Sequence, residues 1–327
     1  MAKDMTSGKP LKLIWNFTIP LLIGNLFQQL YNMADTFIVG RTIGVQALAA
    51  VGSTGSIVFL IIGFATGLTA GLAIPLAQRF GAKDYKGVKH SFYVSILISI
   101  AVAIALTALS MIFCRQILEI MQTPSEIIDG AYDYLIVIFG GIFSSMAYNL
   151  LSNIFRSIGD AKTPLYFLVM ACVMNIILDI VFIAVFGMGV EGAGYATVLS
   201  QIFSAVACIV YIWKKIPVLR LTKEDLVATK RNIREHCRIS FPMAFQASII
   251  AIGTIMVQIA LNQLGPTSVA AHTAAQKIDQ LAILPMMSFG VTMATYSAQN
   301  FGAKKYDRIW LGVRECIKLS LTFAIVV

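Results

Sequence analysis

The sequence predicts an all-α polytopic membrane protein whose helices form a two-lobe bundle built on a parallel repeat. Three observations carry this prediction. Of 327 residues, 58% are hydrophobic and only 13% charged, and mean hydropathy is +0.80, a balance that suits a membrane bundle and not a soluble domain. About nine apolar segments are long enough to cross a hydrocarbon core of roughly 30 Å. A nine-residue motif recurs late in the chain with the same surroundings.

In chain order the apolar segments lie near 13–39, 47–77, 91–113, 131–154, 164–186, 193–213, 239–262, 268–297 and 309–327. Each is expected to be helical, because an open sheet edge cannot be satisfied in lipid. Pro20 and Pro242, near the starts of the first and seventh, are expected to kink their helices. Gly63, Gly67 and Gly71 form a small-xxx-small stripe, expected to serve close packing within the first lobe.

Orientation follows from the basic residues. The N-terminus and alternate loops hold Lys3, Lys9 and Lys12; Arg79, Lys83, Lys86 and Lys89; Arg156 and Lys162; the run from Lys214 to Arg238; and Lys304, Lys305 and Arg308. The opposite loops hold only Arg41 and Arg115 beside Glu119, Glu126, Asp129 and Glu191. The amino terminus is therefore expected in the cytoplasm, and its polar start argues against a cleavable signal peptide. The net charge of +9 reads as topology, with no nucleic-acid partner implied. Cys114, Cys172, Cys208, Cys237 and Cys316 lack metal-ligand spacing and are expected as free thiols.

The repeat organises the domains. Ala77-Gln-Arg-Phe-Gly-Ala-Lys-Asp-Tyr85 returns as Ala298-Gln-Asn-Phe-Gly-Ala-Lys-Lys-Tyr306, with seven identities in nine at an offset of 221. The same offset aligns Gly44, Ala49 and Ala50 with Gly265, Ala270 and Ala271. Six helices separate the copies, an even number, so both share one orientation. The expected division is a six-helix lobe over 1–213, a basic cytoplasmic linker over 214–238 with a short surface helix begun at Thr222, and the start of a second lobe over 239–327. A second copy as long as the first would need about 220 residues. The chain is thus expected to be a fragment holding about nine of twelve helices, ending inside the second lobe's third helix.

Polar residues inside these spans are the candidate site. Gln28, Asn32 and Asp35 are spaced i, i+4, i+7 and share one face of the first helix. An Asp at a span centre costs roughly 2.5–3.5 kcal/mol, so this face should meet a cavity or the bundle interior. Asn175 and Asp179 share a face of the fifth helix, and Thr197 and Gln201 a face of the sixth. Counting about 1.5 Å per residue from the loops puts Asp35, Asp179 and Thr197 at one level, roughly 7–9 Å below the outer edge. Two adjacent carboxylates cannot both stay ionised cheaply, so they could carry a proton. With Asn175 and Thr197 they could equally supply hard oxygen ligands to Na+. The plainer alternative is that each Asp is merely hydrogen-bonded within the bundle. In the second lobe Met256 and Val257 match Asp35 by offset, while Gln276, Lys277 and Asp279 on the eighth helix are candidates to line a substrate cavity. No catalytic triad, phosphate loop or nucleotide fingerprint is present in the sequence, so no enzyme activity and no cofactor are expected.

Phe17-Thr-Ile-Pro20, Asp35-Thr-Phe-Ile-Val-Gly40, Ala47-Leu-Ala-Ala-Val-Gly52, Gln78-Arg-Phe-Gly-Ala-Lys83 and Phe155-Arg-Ser-Ile-Gly-Asp-Ala-Lys-Thr-Pro164 resemble the multidrug and toxic compound extrusion (MATE) transporters, from about Leu11 to the end. The resemblance implies twelve helices in two lobes around a central cavity. It also implies export of organic cations and other amphiphilic drugs against H+ or Na+ in a bacterial inner membrane, with the lipid bilayer as environment and no obligate protein partner. Asp35 then corresponds to the family's cation-coupling aspartate, and Asn175, Asp179 and Thr197 to the polar cluster of its prokaryotic DinF-like branch. The seventh helix lacks the acidic residue of NorM-type members. A lipid-linked oligosaccharide flippase of the same superfamily is the alternative, although it would want cationic cavity residues for a pyrophosphate.

Overall fold

The computed structural model describes residues 3–121, 123–263 and 266–326; over 255–281, side chains are described only at Met256, Val257, Ala260, His272, Ala275 and Asp279. The described residues form eleven α-helices with no strand: α1 (Pro10–Thr42), α2 (Val45–Gly81), α3 (Tyr85–Ile112), α4 (Cys114–Ile120), α5 (Ile128–Gly140), α6 (Ile142–Ser157), α7 (Lys162–Asp179), α8 (Val190–Lys215), α9 (Lys230–Gln263), α10 (Pro266–Gly302) and α11 (Tyr306–Val326). Five of them, α1, α2, α3, α7 with its continuation, and α8, are long and apolar enough to cross a bilayer, and the bent α5–α6 pair, taken as one span, brings the number to six. The last three expected spans fall on α9, α10 and α11.

The fourth span departs from the straight helix expected over 131–154. It bends by 47° between α5 and α6, at Gly140-Gly141, where the backbone is least constrained. Gly141 also lies against α8 so closely that a Cβ there would strike Val198. Pro20 and Pro242 both sit inside continuous helices. The fifth span changes character at Asp179, where α7 gives way to a π-helical turn over Ile180–Val185. The linker holds two single 3-10 turns, Pro217–Leu219 and Lys223–Asp225, in place of the expected surface helix. Thr222 and Asp225 form a capping box, and Lys89 on α3 pairs with Asp225 at 3.0 Å, so local bonds compete with a longer helix. All five cysteines are free.

The repeat extends to backbone conformation. Among the described residues Lys83 and Lys304 are the two non-glycine residues with positive φ, at 61° and 58°, and they occupy equivalent positions in the two motifs. Each closes its helix in the same way: Lys83 N donates to Phe80 O and Asp84 N to Arg79 O, while Lys304 N donates to Phe301 O and Lys305 N to Asn300 O. The two motifs also pack on each other. A Cβ on Gly81 would strike the Gln299 carbonyl, and one on Gly302 would strike the Gln78 carbonyl.

The glycine stripe on α2 packs across to the second repeat, correcting the expectation of packing within the first. Added Cβ atoms would meet Met243 and Ala244 at Gly67, and Ser240 at Gly71, all on α9. Only glycine lets two helix backbones come this close. The approach relaxes along the helix: at Gly63 the nearest atom is Ala247 Cβ at 3.9 Å, and at Gly52 and Gly55 nothing lies within 4 Å. The halves therefore close at the end bearing Arg79 and Lys83 and diverge toward the other.

Residues 3–8 strap that closed end. Lys3 N donates to Ile158 O, Met5 N to Gln299 Oε1, Lys305 Nζ to Thr6 O and Arg308 Nη2 to Gly8 O. Met5 is buried with Phe17, Phe289 and Tyr296 in a cluster joining α1 to α10 and α11. Thr18 and Thr292 hydroxyls at 2.8 Å, and Asn25 Nδ2 donating to Ser288 Oγ at 3.0 Å, continue the α1–α10 contact.

Candidate functional site

Asp35 stands late in α1, seven residues before its end, and Asp179 closes α7. These helices pack along each other, and the two carboxyl groups come within hydrogen-bonding reach. Asn175, one turn back on α7, turns to the same place and donates from Nδ2 to Thr197 Oγ1 on α8 at 3.4 Å. Asp35, Asn175, Asp179 and Thr197, expected at one level, are thus assembled from three helices. Asp179 and Asn175 are fully buried, at 0% exposure, while Asp35 and Thr197 are half-buried.

One tyrosine completes the cluster and was not expected. Tyr31 shares a hydrogen bond with Thr197, oxygen to oxygen at 3.1 Å. Tyr31 is four residues before Asp35, so the helical period that selected Gln28 and Asn32 also marks it. A phenol can be apolar core or a hydrogen-bonding group, and only the third dimension separates the two roles.

The cluster is rich in acceptors and poor in donors. Asp35 Oδ1, both Asp179 carboxylate oxygens and Asn175 Oδ1 are buried without a hydrogen-bond partner. Among the described residues no lysine or arginine pairs with either carboxylate. Orphaned buried acceptors are costly, at about 1–3 kcal/mol each and more when charged, so this arrangement is complementary to a positive charge. The oxygen-only donor set suits a proton or a hard cation such as Na+. Among the described residues no group of three or more His, Cys, Asp or Glu offers a metal site of another kind. The π-turn that begins directly after Asp179 is a form common at functional positions.

The remaining candidates fall elsewhere. Gln28 and Asn32 are exposed and lead along α1 to Asp35. Gln201 is half-buried one turn beyond Thr197. On α10, Asp279 is exposed and lies outside the cluster, while the side chains of Gln276 and Lys277 lie outside the described residues. Met256 and Val257, at the positions matching Asp35, are exposed on α9.

Comparison with known proteins agrees with this architecture. The family profile described as MatE matches residues 20–181 and 242–327. A probable multidrug resistance protein of Bacillus subtilis, YpnP, is 30% identical over 94% of this chain and 69% of its own length. A probable multidrug resistance protein NorM of Thermotoga maritima is 26% identical over 94% of this chain and 67% of its own. The solved structure described as an outward-facing conformation of a multidrug resistance MATE family transporter superposes with a TM-score of 0.92 at 26% identity, over 98% of this chain and 72% of that one. The chain thus spans about 70% of the length of such relatives. Members of the family are membrane transporters, and the chain belongs to the MatE family.

Proposed function

We propose that the protein is a secondary active multidrug exporter in which uptake of a cation at Asp35, Asn175, Asp179 and Thr197 drives release of amphiphilic drugs, organic cations among them. The observation that carries this reading is the buried group of carboxylate and amide oxygens without donors, which a single H+ or Na+ would satisfy. In this reading the protein sits in a bacterial inner membrane with its N-terminus and basic loops in the cytoplasm. Lobes over 1–213 and 239–327 rock about the 214–238 linker. No enzyme step, cofactor, nucleic acid or obligate protein partner is involved.

The closed basic end then corresponds to a cavity open to the outside. A cation arriving from outside pulls α1 and α7 together through Asp35 and Asp179. That biases the bundle against bound drug, and the return to the inward-facing form reloads it. The exposed Gln28 and Asn32 lie on the route to the pair. Gln201, Gln276, Lys277 and Asp279 are proposed as cavity contacts for drug.

The test is ethidium efflux from vesicles carrying the protein, with proton and sodium gradients imposed separately. Efflux that follows one gradient and is abolished in Asp35→Asn and Asp179→Asn establishes the exchange and identifies the ion. Wild-type efflux by either variant refutes the coupling role.

A further inference from the structure

Arg156, at the end of α6, is chemically out of balance with its surroundings. The other two arginines that are not exposed are well matched. Arg79 reaches Glu235 at 3.0 Å, Asn232 and the Gly87 carbonyl, and Arg308 reaches Asn300 Oδ1 and the Gly8 carbonyl. Among the described residues Arg156 makes one protein hydrogen bond, from Nη1 to Asn153 Oδ1 at 3.3 Å, and its buried Nε meets no acceptor. A guanidinium carries five N–H donors in a rigid fork, and no carboxylate pairs with it among the described residues.

This side chain lines a cavity of about 180 Å³ between the two repeats, walled by α2, α6, α9 and α10. Asn153, Ser157 and Thr295 are its other polar wall residues, Ala73 and Ala294 contribute small apolar surface, and among the described residues no acidic side chain lines it. The cavity lies toward the closed basic end, where the halves meet. At about 30 Å³ per water it holds a head group and a short stem, with the rest of a ligand directed along the diverging halves.

We propose that this cavity is an anion-accepting subsite, in which Arg156 binds the carboxylate or phosphate head of an amphiphile. The fork of the guanidinium pairs bidentately with such a head, Thr295 supplies a hydroxyl donor, and the alanine walls admit the stem. The site is separate from the Asp35–Asp179 cluster and opposite in polarity. The protein would then accept zwitterionic or acidic amphiphiles as well as cationic ones.

The test is equilibrium binding to purified protein without any gradient, so it stands apart from the coupling reading. The probes are 11-(dansylamino)undecanoic acid and its carboxamide, which share an apolar body and differ in head charge. Wild type is expected to prefer the acid by at least about tenfold, the effect of one charge-assisted pair. Arg156→Gln should erase the preference and Arg156→Lys restore part of it. Ala294→Leu, which fills the cavity and leaves the arginine in place, should also erase it. Wild type without acid preference, or a preference that survives both Arg156→Gln and Ala294→Leu, overturns the proposal. Repeating the titration in phosphatidylcholine nanodiscs with and without phosphatidylglycerol separates the two sources of the head: competition by phosphatidylglycerol assigns it to lipid, and its absence to a solute.

Discussion

Gly81, at the end of α2, lies against the Gln299 carbonyl at the end of α10 with no room for a Cβ between them. The repeat returns the same contact as Gly302 against Gln78. Two copies of one motif thus form a reciprocal seam that shuts the basic end. Gly81→Ala or Gly302→Ala is expected to force the seam apart at a cost of about 1–3 kcal/mol. Gly52→Ala and Gly55→Ala, where nothing lies within 4 Å, should instead gain up to about 1 kcal/mol of helix propensity. Thermal unfolding of the four variants in one detergent checks the contrast, and equal effects at all four would refute the seam.

Asp179→Asn is expected to separate folding from coupling. The amide supplies Asp35 with the donor that the wild-type pair lacks, so melting temperature should hold or rise while efflux falls to background. The ion dependence of melting is the second readout. Wild type should be stabilised by whichever of acid or sodium drives efflux, and the variant should respond to neither.

The linker anchor carries a pH signature. Hydrogen bonds from the Thr222 side chain and backbone, with the Lys89 ammonium, hold the Asp225 carboxyl down to about 2. Its unfolded value is near 3.9, so its contribution is complete above about pH 5 and is lost as pH falls through about 2. The gap in melting temperature between wild type and Asp225→Asn should therefore be widest above pH 5 and close toward pH 2. A gap that widens on acidification would mean the carboxylate is not the anchoring species.

Lys83 and Lys304 hold left-handed backbone that glycine adopts without a Cβ clash. Lys83→Gly and Lys304→Gly are each expected to stabilise by about 1 kcal/mol, and the two should add, since each sits in its own helix end. Denaturant or thermal titration of the single and double variants measures this.

The strap over residues 3–8 bonds to Ile158 and to Gln299, Lys305 and Arg308, which belong to different repeats. Deleting residues 1–8 should leave membrane insertion intact and loosen the closed end. Thiol labelling of Ser157→Cys from the basic side should then rise several-fold. Unchanged labelling would show that the glycine seam alone holds the closure.

Much of this protein is legible in the sequence by itself. Apolar length fixes the spans because lipid admits few alternatives to the helix, and the 221-residue offset from Ala77 to Ala298 fixes the parallel repeat. Helical periodicity and residue rise were enough to put Asp35, Asp179 and Thr197 at one depth, since both are properties of a single helix. What one helix cannot contain had to wait for tertiary structure. The partners of Gly67 and Gly71 lie on α9, Tyr31 joins Thr197 across two helices, and Arg156 is without an acidic partner only because of what the other repeat places opposite it. Those relations depend on which helices pack together and how closely their backbones approach. Each is set by the sum of contacts along whole interfaces, and no local pattern encodes it.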